Sequence, residues 1–483
     1  MRQAAWSVIH PNSRRYSRTT LSARLELVLR PSGSRRAALE TALRAAIREQ
    51  RLAAGQRLPS TRALASDLGI ARGTVVEAYA QLQAEGYLTA RHGAGTWVAD
   101  VVAATPQPAG HASPPDRAPR FNFAPGLPDL AAFPRAAWAD ALRLALRDAP
   151  ASTLGYGDPR GRRELRQALA AYLARARGAV ADPDLIVVCA GFVHGLSLLS
   201  RVLRAQGVRR IAMEDPCLWW HRDVASAAGL QVVPLPVDEQ GARADLLDGS
   251  DAGAVFLAPA HQFPLGAVLH PERRTAAIAW ARAAAGLVIE DDYDAELRYD
   301  RQPVGALQAL DPDRVAFAGT TSKTLAPGLR LGWLLVPHTL LEPVVAIRRL
   351  EDVHVPVPEQ LAFSQLLVSG AFERHVRRMR TRYRARRDRL LAMLAERAPS
   401  ATPVGISAGL RVLLELPADG PPADELIKRA AHQSIELFPV GRCYHSGRAM
   451  REGLVIGYAA LPEHAFESGL AALGDVLEAS LAS

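Results

Sequence analysis

The sequence predicts an α/β protein in two parts, a small helical unit closed by a hairpin and a larger domain built on a mostly parallel sheet. Three observations carry this. After residue 121, apolar runs such as Leu185 to Val188, Ala254 to Leu257 and Leu287 to Glu290 alternate with stretches of helical periodicity. Before residue 100, apolar positions recur at helical spacing and end in two short strand-like segments. Between the two, residues 100–120 are rich in proline and alanine (Pro106, Pro108, Pro114, Pro115, Pro119) and read as a linker. The chain of 483 residues is 49% hydrophobic and 22% charged, an ordinary globular composition. Such a length accommodates roughly three units of ~150 residues and a large core.

Taken in order, residues 1–30 are expected to form a partly disordered extension, and residues 31–99 a compact unit. From Arg36 to Glu49, Leu39, Leu43, Ala46 and Ile47 give one buried helical stripe. In Leu58-Pro59-Ser60-Thr61-Arg62, Ser60 is placed to cap a second helix carrying Leu64, Ala65 and Leu68, which Gly69 closes. A third helix from about Arg72 to Ala84 has Val75, Ala78, Tyr79 and Leu82 as its core face. Arg72, Gly73, Thr74 and Glu77 then face outward near its start, where a recognition helix meets base edges and phosphates. Gly86 to Leu88 and Gly95 to Val98 make a wing around Arg91-His92-Gly93-Ala94. The whole string from Gly55 to Val98 resembles the winged helix-turn-helix of GntR-type bacterial regulators. The likeness includes the Leu-Pro-Ser-x-Arg step, the Arg-x-Thr-Val start of the third helix and the Glu-Gly-Tyr-Leu exit. It implies that Arg62, Arg72 and Thr74 contact phosphates or bases of double-stranded operator DNA, with His92 and Gly93 in the minor groove. Ala71 departs from the pattern, which often has a hydroxyl residue there.

Net charge is +9, which permits nucleic-acid binding without proving it. Cys189, Cys217 and Cys443 are far apart and odd in number, so buried free thiols and no metal site are expected. Arg2, Arg14, Arg15 and Arg18 precede no apolar signal region, and no apolar run is long enough to span a bilayer. A cytoplasmic protein is expected.

The basic residues are 56 arginines and two lysines, Lys323 and Lys428. Arginine supplies charge and hydrogen bonds, but only a primary amine condenses with an aldehyde to a Schiff base. Lys428 sits on a helix beside Arg429 and reads as a solvated charge, whereas Lys323 lies in Gly319-Thr320-Thr321-Ser322-Lys323-Thr324-Leu325-Ala326-Pro327-Gly328-Leu329-Arg330, among hydroxyls, glycines and an arginine suited to phosphate. About one strand-helix step earlier, Val288 to Asp294 is an apolar strand ending in carboxylates. A pyridoxal phosphate site needs an anion for the pyridine nitrogen, a donor to the phenolate oxygen, a lysine and phosphate ligands. Asp291 fits the first role, Tyr293 the second, Lys323 the third, and Thr320, Ser322 and Arg330 the fourth. The backbone N–H groups of Ala190, Gly191 and Phe192, opening a helix, also fit the phosphate.

With Ala258 to Gly266 and Gly155 to Gly161, these segments resemble fold-type I aminotransferases from Phe121 to the C-terminus, with a large and a small subdomain. The fusion of the two modules resembles the MocR/GabR-type regulators on the strings Gln-Phe-Pro, Glu-Asp-Asp-Tyr-Asp and Ser-Lys-Thr-Leu-Ala-Pro-Gly-Leu-Arg-Leu-Gly. The resemblance implies pyridoxal 5'-phosphate on Lys323, transcriptional control in response to a small-molecule effector, and a domain-swapped homodimer in which Tyr156 reaches the partner's cofactor phosphate. Two departures stand out. Leu218 replaces the aromatic that stacks on the pyridine ring, with Trp219 a candidate substitute, and Val455 replaces the arginine that grips a substrate carboxylate. Loss of such an arginine removes ~2–5 kcal/mol from carboxylate recognition unless Arg442, Arg448 or Arg451 compensates. The leading expectation is therefore a pyridoxal-phosphate-binding transcriptional regulator whose aminotransferase-like domain senses a ligand. Pyridoxal phosphate itself is one candidate effector, and a primary amine exchanging onto a permanently bound cofactor is the other. A working aminotransferase with an accessory DNA-binding head is the second reading, which Val455 disfavours.

Overall fold

A computed structural model describes residues 34–91, 94–100, 119–299, 304–447 and 452–481, in two compact units divided between Asp116 and Arg117. The first unit holds α1 (Arg35–Arg48), α2 (Thr61–Leu68), α3 (Arg72–Ala84), β1 (Leu88–Arg91) and β2 (Gly95–Val98). Leu39, Leu43, Ala46 and Ile47 are buried against Leu64, Ala65, Val75, Ala78, Tyr79 and Leu82, as their spacing predicts. Ser60 Oγ accepts the Ala63 N–H at 3.2 Å, and Gly69 ends α2 at φ +63°. Helix α3 begins after Ala71 with no side-chain cap, so the missing hydroxyl leaves its first N–H groups without a local acceptor side chain. The first wing strand starts at Leu88 rather than Gly86, because Gly86 (φ +80°) and Tyr87, whose N–H donates to Leu82, form the turn out of α3. The strands pair antiparallel, from Leu88 opposite Val98 to Arg91 opposite Gly95.

The second unit is built on an eight-stranded sheet in the order β4-β11-β10-β9-β8-β5-β6-β7. Its strands are β4 (Ile186–Cys189), β5 (Arg210–Asp215), β6 (Gln231–Asp238), β7 (Gly241–Ala242), β8 (Ala254–Leu257), β9 (Leu287–Asp292), β10 (Val315–Thr320) and β11 (Gly332–Leu335). Strands β10, β9, β8, β5 and β6 are parallel neighbours; β11 runs antiparallel between β10 and β4. Continuous apolar runs suit strands covered on both faces. On β4, Val187 and Cys189 pack with α6 (Phe192–Ala205) and α9 (His338–Glu351). Ile186 and Val188 alternate to the opposite side, onto α5 (Arg163–Arg177) and α10 (Val357–Val368). Two further helices, α4 (Arg135–Asp148) and α8 (Pro271–Ala283), complete the layers, and α7 (Trp219–Ala227) follows β5.

The C-terminal subdomain packs α11 (Ala371–Arg397), α12 (Ala423–His432) and α13 (Glu463–Leu481) around an antiparallel sheet of β12 (Thr402–Val404), β13 (Arg411–Glu415) and β15 (Gly453–Gly457). The short strand β3 (Phe121–Asn122) pairs with β14 (Ile435–Glu436), which fastens the start of this unit to its C-terminal part.

Gly319 fixes how closely β10 approaches β11. A Cβ there would lie 2.4 Å from the Trp333 indole of the facing residue. Gly319→Ala is therefore expected to lower unfolding stability by ~1–3 kcal/mol through overpacking. Denaturant unfolding checks this, and an unchanged midpoint would contradict the close packing.

Candidate functional site

A cavity of about 470 Å³ opens at the C-terminal ends of the parallel strands and is lined by Asp291, Tyr293, Thr320, Ser322, Lys323, Arg330 and Phe192. Strand alternation separates the paired aspartates of β9. Asp291 faces the cavity, while Asp292 turns away to the buried guanidinium of Arg177, which donates to it at 2.6 and 3.2 Å. Asp291 is 6% exposed, and its Oδ1 is buried without a hydrogen-bond partner. Burial, with Asp292, Glu214 and Asp294 nearby, raises its carboxyl well above the usual range. An acid left in this condition calls for a cationic donor.

Lys323 follows β10 in a tight turn. Its Nζ donates to Gly126 O at 2.7 Å, and burial lowers its pKa below that of an ordinary lysine. Gly126 (φ +104°) brings backbone within reach; a Cβ there would stand 3.2 Å from the amine. Lys428 is exposed on α12, as expected of a solvated charge.

The polar turn lies opposite the opening of α6. Thr320 Oγ1 and Ser322 Oγ are 2.9 Å apart, and Arg330 Nη2 donates to Ala190 O at 2.7 Å. Gly191 (φ +80°) precedes α6, and a Cβ on it would meet the Arg330 guanidinium at 3.1 Å. A side chain at residue 191 would thus crowd Arg330, and the positive φ favours glycine there. One expectation needs correction: the Ala190 N–H donates to His194 Nδ1 at 3.1 Å, leaving Gly191 and Phe192 as the N–H groups free to face an anion. The helical turn that places residue 194 over residue 190 causes this.

The Tyr293 hydroxyl donates to His261 O at 2.6 Å and accepts from Arg411 Nη2 at 2.8 Å. Tyr156 is 93% exposed, beside His354, and is not part of the cavity wall. Val455 is fully buried with Leu413, Phe438, Val440 and Cys443 and does not reach the cavity. Of the candidate compensating arginines, Arg442 lies 4.4 Å over the Trp219 ring at the cavity wall, while Arg448 and Arg451 fall outside the described residues. Trp219 is stacked on Phe438 at 5.5 Å.

Three titratable or charged residues of the cavity were not singled out from the sequence. Glu214, at the end of β5, accepts the Ala258 N–H at 3.1 Å, and burial pushes it up to about 7. His221 of α7 is wedged against Phe192 and Phe256 (4.9 and 5.5 Å), and burial pushes it down to about 3, which keeps it neutral. Arg411 enters from β13, and the lone cation in the apolar run Leu410 to Leu414 was its signal. The Gln-Phe-Pro string also has a local purpose: Gln262 Nε2 donates to Pro216 O and Phe263 O, both at 2.7 Å, and knits two cavity loops together.

In the first unit, Arg62 and Arg72 are exposed near the starts of α2 and α3, without a carboxylate partner among the described residues, and Thr74 is partly buried in the first turn of α3. His92 and Gly93 lie outside the described residues. Among the described residues, no cluster of His, Cys, Asp and Glu could hold a metal ion, the three cysteines are free and buried, and no helix is long and apolar enough to cross a membrane.

These features fit pyridoxal phosphate: an unpartnered buried carboxyl oxygen, a half-buried amine in the same cavity, and a hydroxyl-and-arginine turn facing a helix N-terminus at Gly191. Comparison with known proteins agrees on the architecture. Residues 121–451 match the aminotransferase class I and II family, and residues 35–98 match the gntR family of bacterial regulatory proteins. The class I and II fold is typically pyridoxal-phosphate dependent. The chain is 34% identical over 432 residues to the HTH-type pyridoxine biosynthesis transcriptional regulator PdxR of Corynebacterium glutamicum, covering 88% of this chain and 92% of that protein. It is 33% identical over 455 residues to the probable rhizopine catabolism regulatory protein MocR of Rhizobium meliloti, covering 89% and 91%. The fold of a Pyrococcus horikoshii kynurenine aminotransferase superposes with a TM-score of 0.67 at 24% identity, over 75% of this chain and 91% of that one. From head to C-terminus, then, this chain belongs to the MocR-type branch of the GntR transcriptional regulators, in which a helix-turn-helix head is joined to an aminotransferase-like domain.

Proposed function

We propose that the protein is a pyridoxal-phosphate-binding transcriptional regulator and that pyridoxal phosphate is itself the effector. The observation that carries this is the unpartnered oxygen of Asp291 in the same cavity as Lys323. When bound, the cofactor supplies an aldehyde that a primary amine captures and a conjugated ring that draws electrons. Lys323 is the amine; its lowered pKa leaves a larger fraction neutral and nucleophilic. Asp291 holds a proton or faces a pyridinium, and its buried oxygen gains the donor it lacks. Thr320, Ser322, Arg330 and the N–H groups of Gly191 and Phe192 hold the phosphate, and Tyr293 donates to the phenolate oxygen. Burial of Val455 supports the cofactor over a carboxylate ligand as the signal, as does the likeness to a pyridoxine biosynthesis regulator.

In this reading residues 31–99 bind operator DNA as a homodimer, joined by the 100–120 linker to residues 121–483. Arg62, Arg72, Thr74, His92 and Gly93 contact the duplex. The exposure of Tyr156 suits a residue that acts on the partner's phosphate in a domain-swapped dimer. Regulation requires the cofactor to bind one dimer arrangement more tightly than the other; a coupling of ~1–3 kcal/mol changes operator affinity by roughly 5–150-fold.

Two predictions follow from these roles. Purified protein given pyridoxal phosphate shows a visible absorbance band that Lys323→Ala removes, and a band of full strength in that variant would refute the assignment. Arg62→Ala and Arg72→Ala each weaken operator binding by ~1–3 kcal/mol and make it less salt-dependent. Footprints unchanged in both variants would sink the DNA-binding assignment of these residues.

A further inference from the structure

Arg411 belongs to the C-terminal sheet, yet its guanidinium lies inside the cavity formed at the parallel strands. It is 6% exposed. One nitrogen, Nη2, donates to Gln262 O at 2.9 Å and to Tyr293 Oη at 2.8 Å; Nη1 stands 3.6 Å from Asp294 Oδ2. The Phe263 ring lies 4.5 Å beneath the guanidinium, and its Nε is buried without a partner. Asp294 in turn accepts from His261 Nδ1 at 2.9 and 3.0 Å. These bonds fix Arg411 to the loops after β8 and β9, with the donors of Nη2 directed at the protein.

The consequence falls on Tyr293. Its hydroxyl has one proton, here donated to the His261 carbonyl, while its lone pair accepts from a cation. A hydroxyl that accepts from a guanidinium is polarised and becomes a stronger donor in turn. We propose that Arg411 is a positioning residue that holds and polarises the Tyr293 hydroxyl, so that its one proton, given to the His261 carbonyl in this structure, turns to the cofactor's phenolate oxygen when the cofactor is bound, and so ties the C-terminal sheet to cofactor binding. This rests on the reading of Tyr293 as the phenolate donor. Arg411 lowers the Tyr293 pKa against the larger upward push of burial, which is the direction polarisation requires. The titratable and charged groups around this hydroxyl are Asp291 and Asp294 of its own segment, His261 stacked at 6.2 Å, Lys323 and Arg411.

The test uses the full-length protein loaded with pyridoxal phosphate, comparing wild type, Arg411→Met, Arg411→Gln and Arg411→Lys. The readouts are the pH midpoint of the visible band and the cofactor dissociation constant. A cation near the nitrogen that joins Lys323 to the cofactor favours loss of its proton, and so does a strong donor to the phenolate oxygen. Removing Arg411 therefore moves the midpoint to higher pH by about one unit and weakens cofactor binding, while Arg411→Lys returns both toward wild type. Arg411→Gln serves the same purpose if Arg411→Met does not fold. A folded neutral variant with the wild-type midpoint and affinity would overturn the proposal while leaving the cofactor assignment standing. A wild-type band that survives Lys323→Ala would overturn both.

Discussion

The second unit is organised around an acid buried at the end of a central strand. Asp291 lies near the end of β9, 6% exposed at the cavity wall, with one buried oxygen that has no hydrogen-bond partner. Burial without a partner is unfavourable for any carboxyl group and more so for an ionised one. Its neighbours do not relieve the strain: Asp292 is turned to Arg177, and Glu214 and Asp294 are acids themselves. The amine of Lys323 occupies the same cavity but is satisfied by Gly126 O. A pyridinium nitrogen would supply the missing donor, so the cavity is complementary to a ligand rather than to itself. The same logic makes binding and folding cooperate, because a ligand that satisfies a buried group stabilises the state that buries it.

Much of this was legible along the chain because the signals are local. The stripe of Leu39, Leu43, Ala46 and Ile47 and the Ser60 and Gly69 caps follow from spacing and cap chemistry, and the structure has each in place. Asp291, Tyr293 and Lys323 were found because an apolar strand ending in acids precedes a lone lysine among hydroxyls. What the sequence hid is what distant segments do to one another. Arg411 lies 118 positions from the tyrosine it touches. Glu214 reads as a strand-end acid until β8 is laid beside β5 and the Ala258 N–H comes within reach. The Ala190 N–H was misjudged because its acceptor is a side chain four residues on, a competitor that a count of backbone donors overlooks.

Val455 and Arg411 together change how the missing carboxylate clamp is understood. On sequence alone the loss at Val455 leaves a gap in charge. In the structure the position is sealed by Leu413, Phe438, Val440 and Cys443, while a cation from the neighbouring strand enters the cavity with its hydrogen bonds given to Tyr293 and Gln262. Arg411 thus braces the site from the C-terminal sheet.

The central claim, that pyridoxal phosphate at Lys323 sets the affinity of the head for DNA, is tested most directly by titrating operator DNA with apo and cofactor-loaded protein at one fixed salt concentration. The account predicts affinities that differ by roughly 5–150-fold, with the Lys323→Ala protein failing to respond to added cofactor. Equal affinities for the apo and loaded protein, together with an amine that shifts DNA binding only when the cofactor is already present, would contradict it.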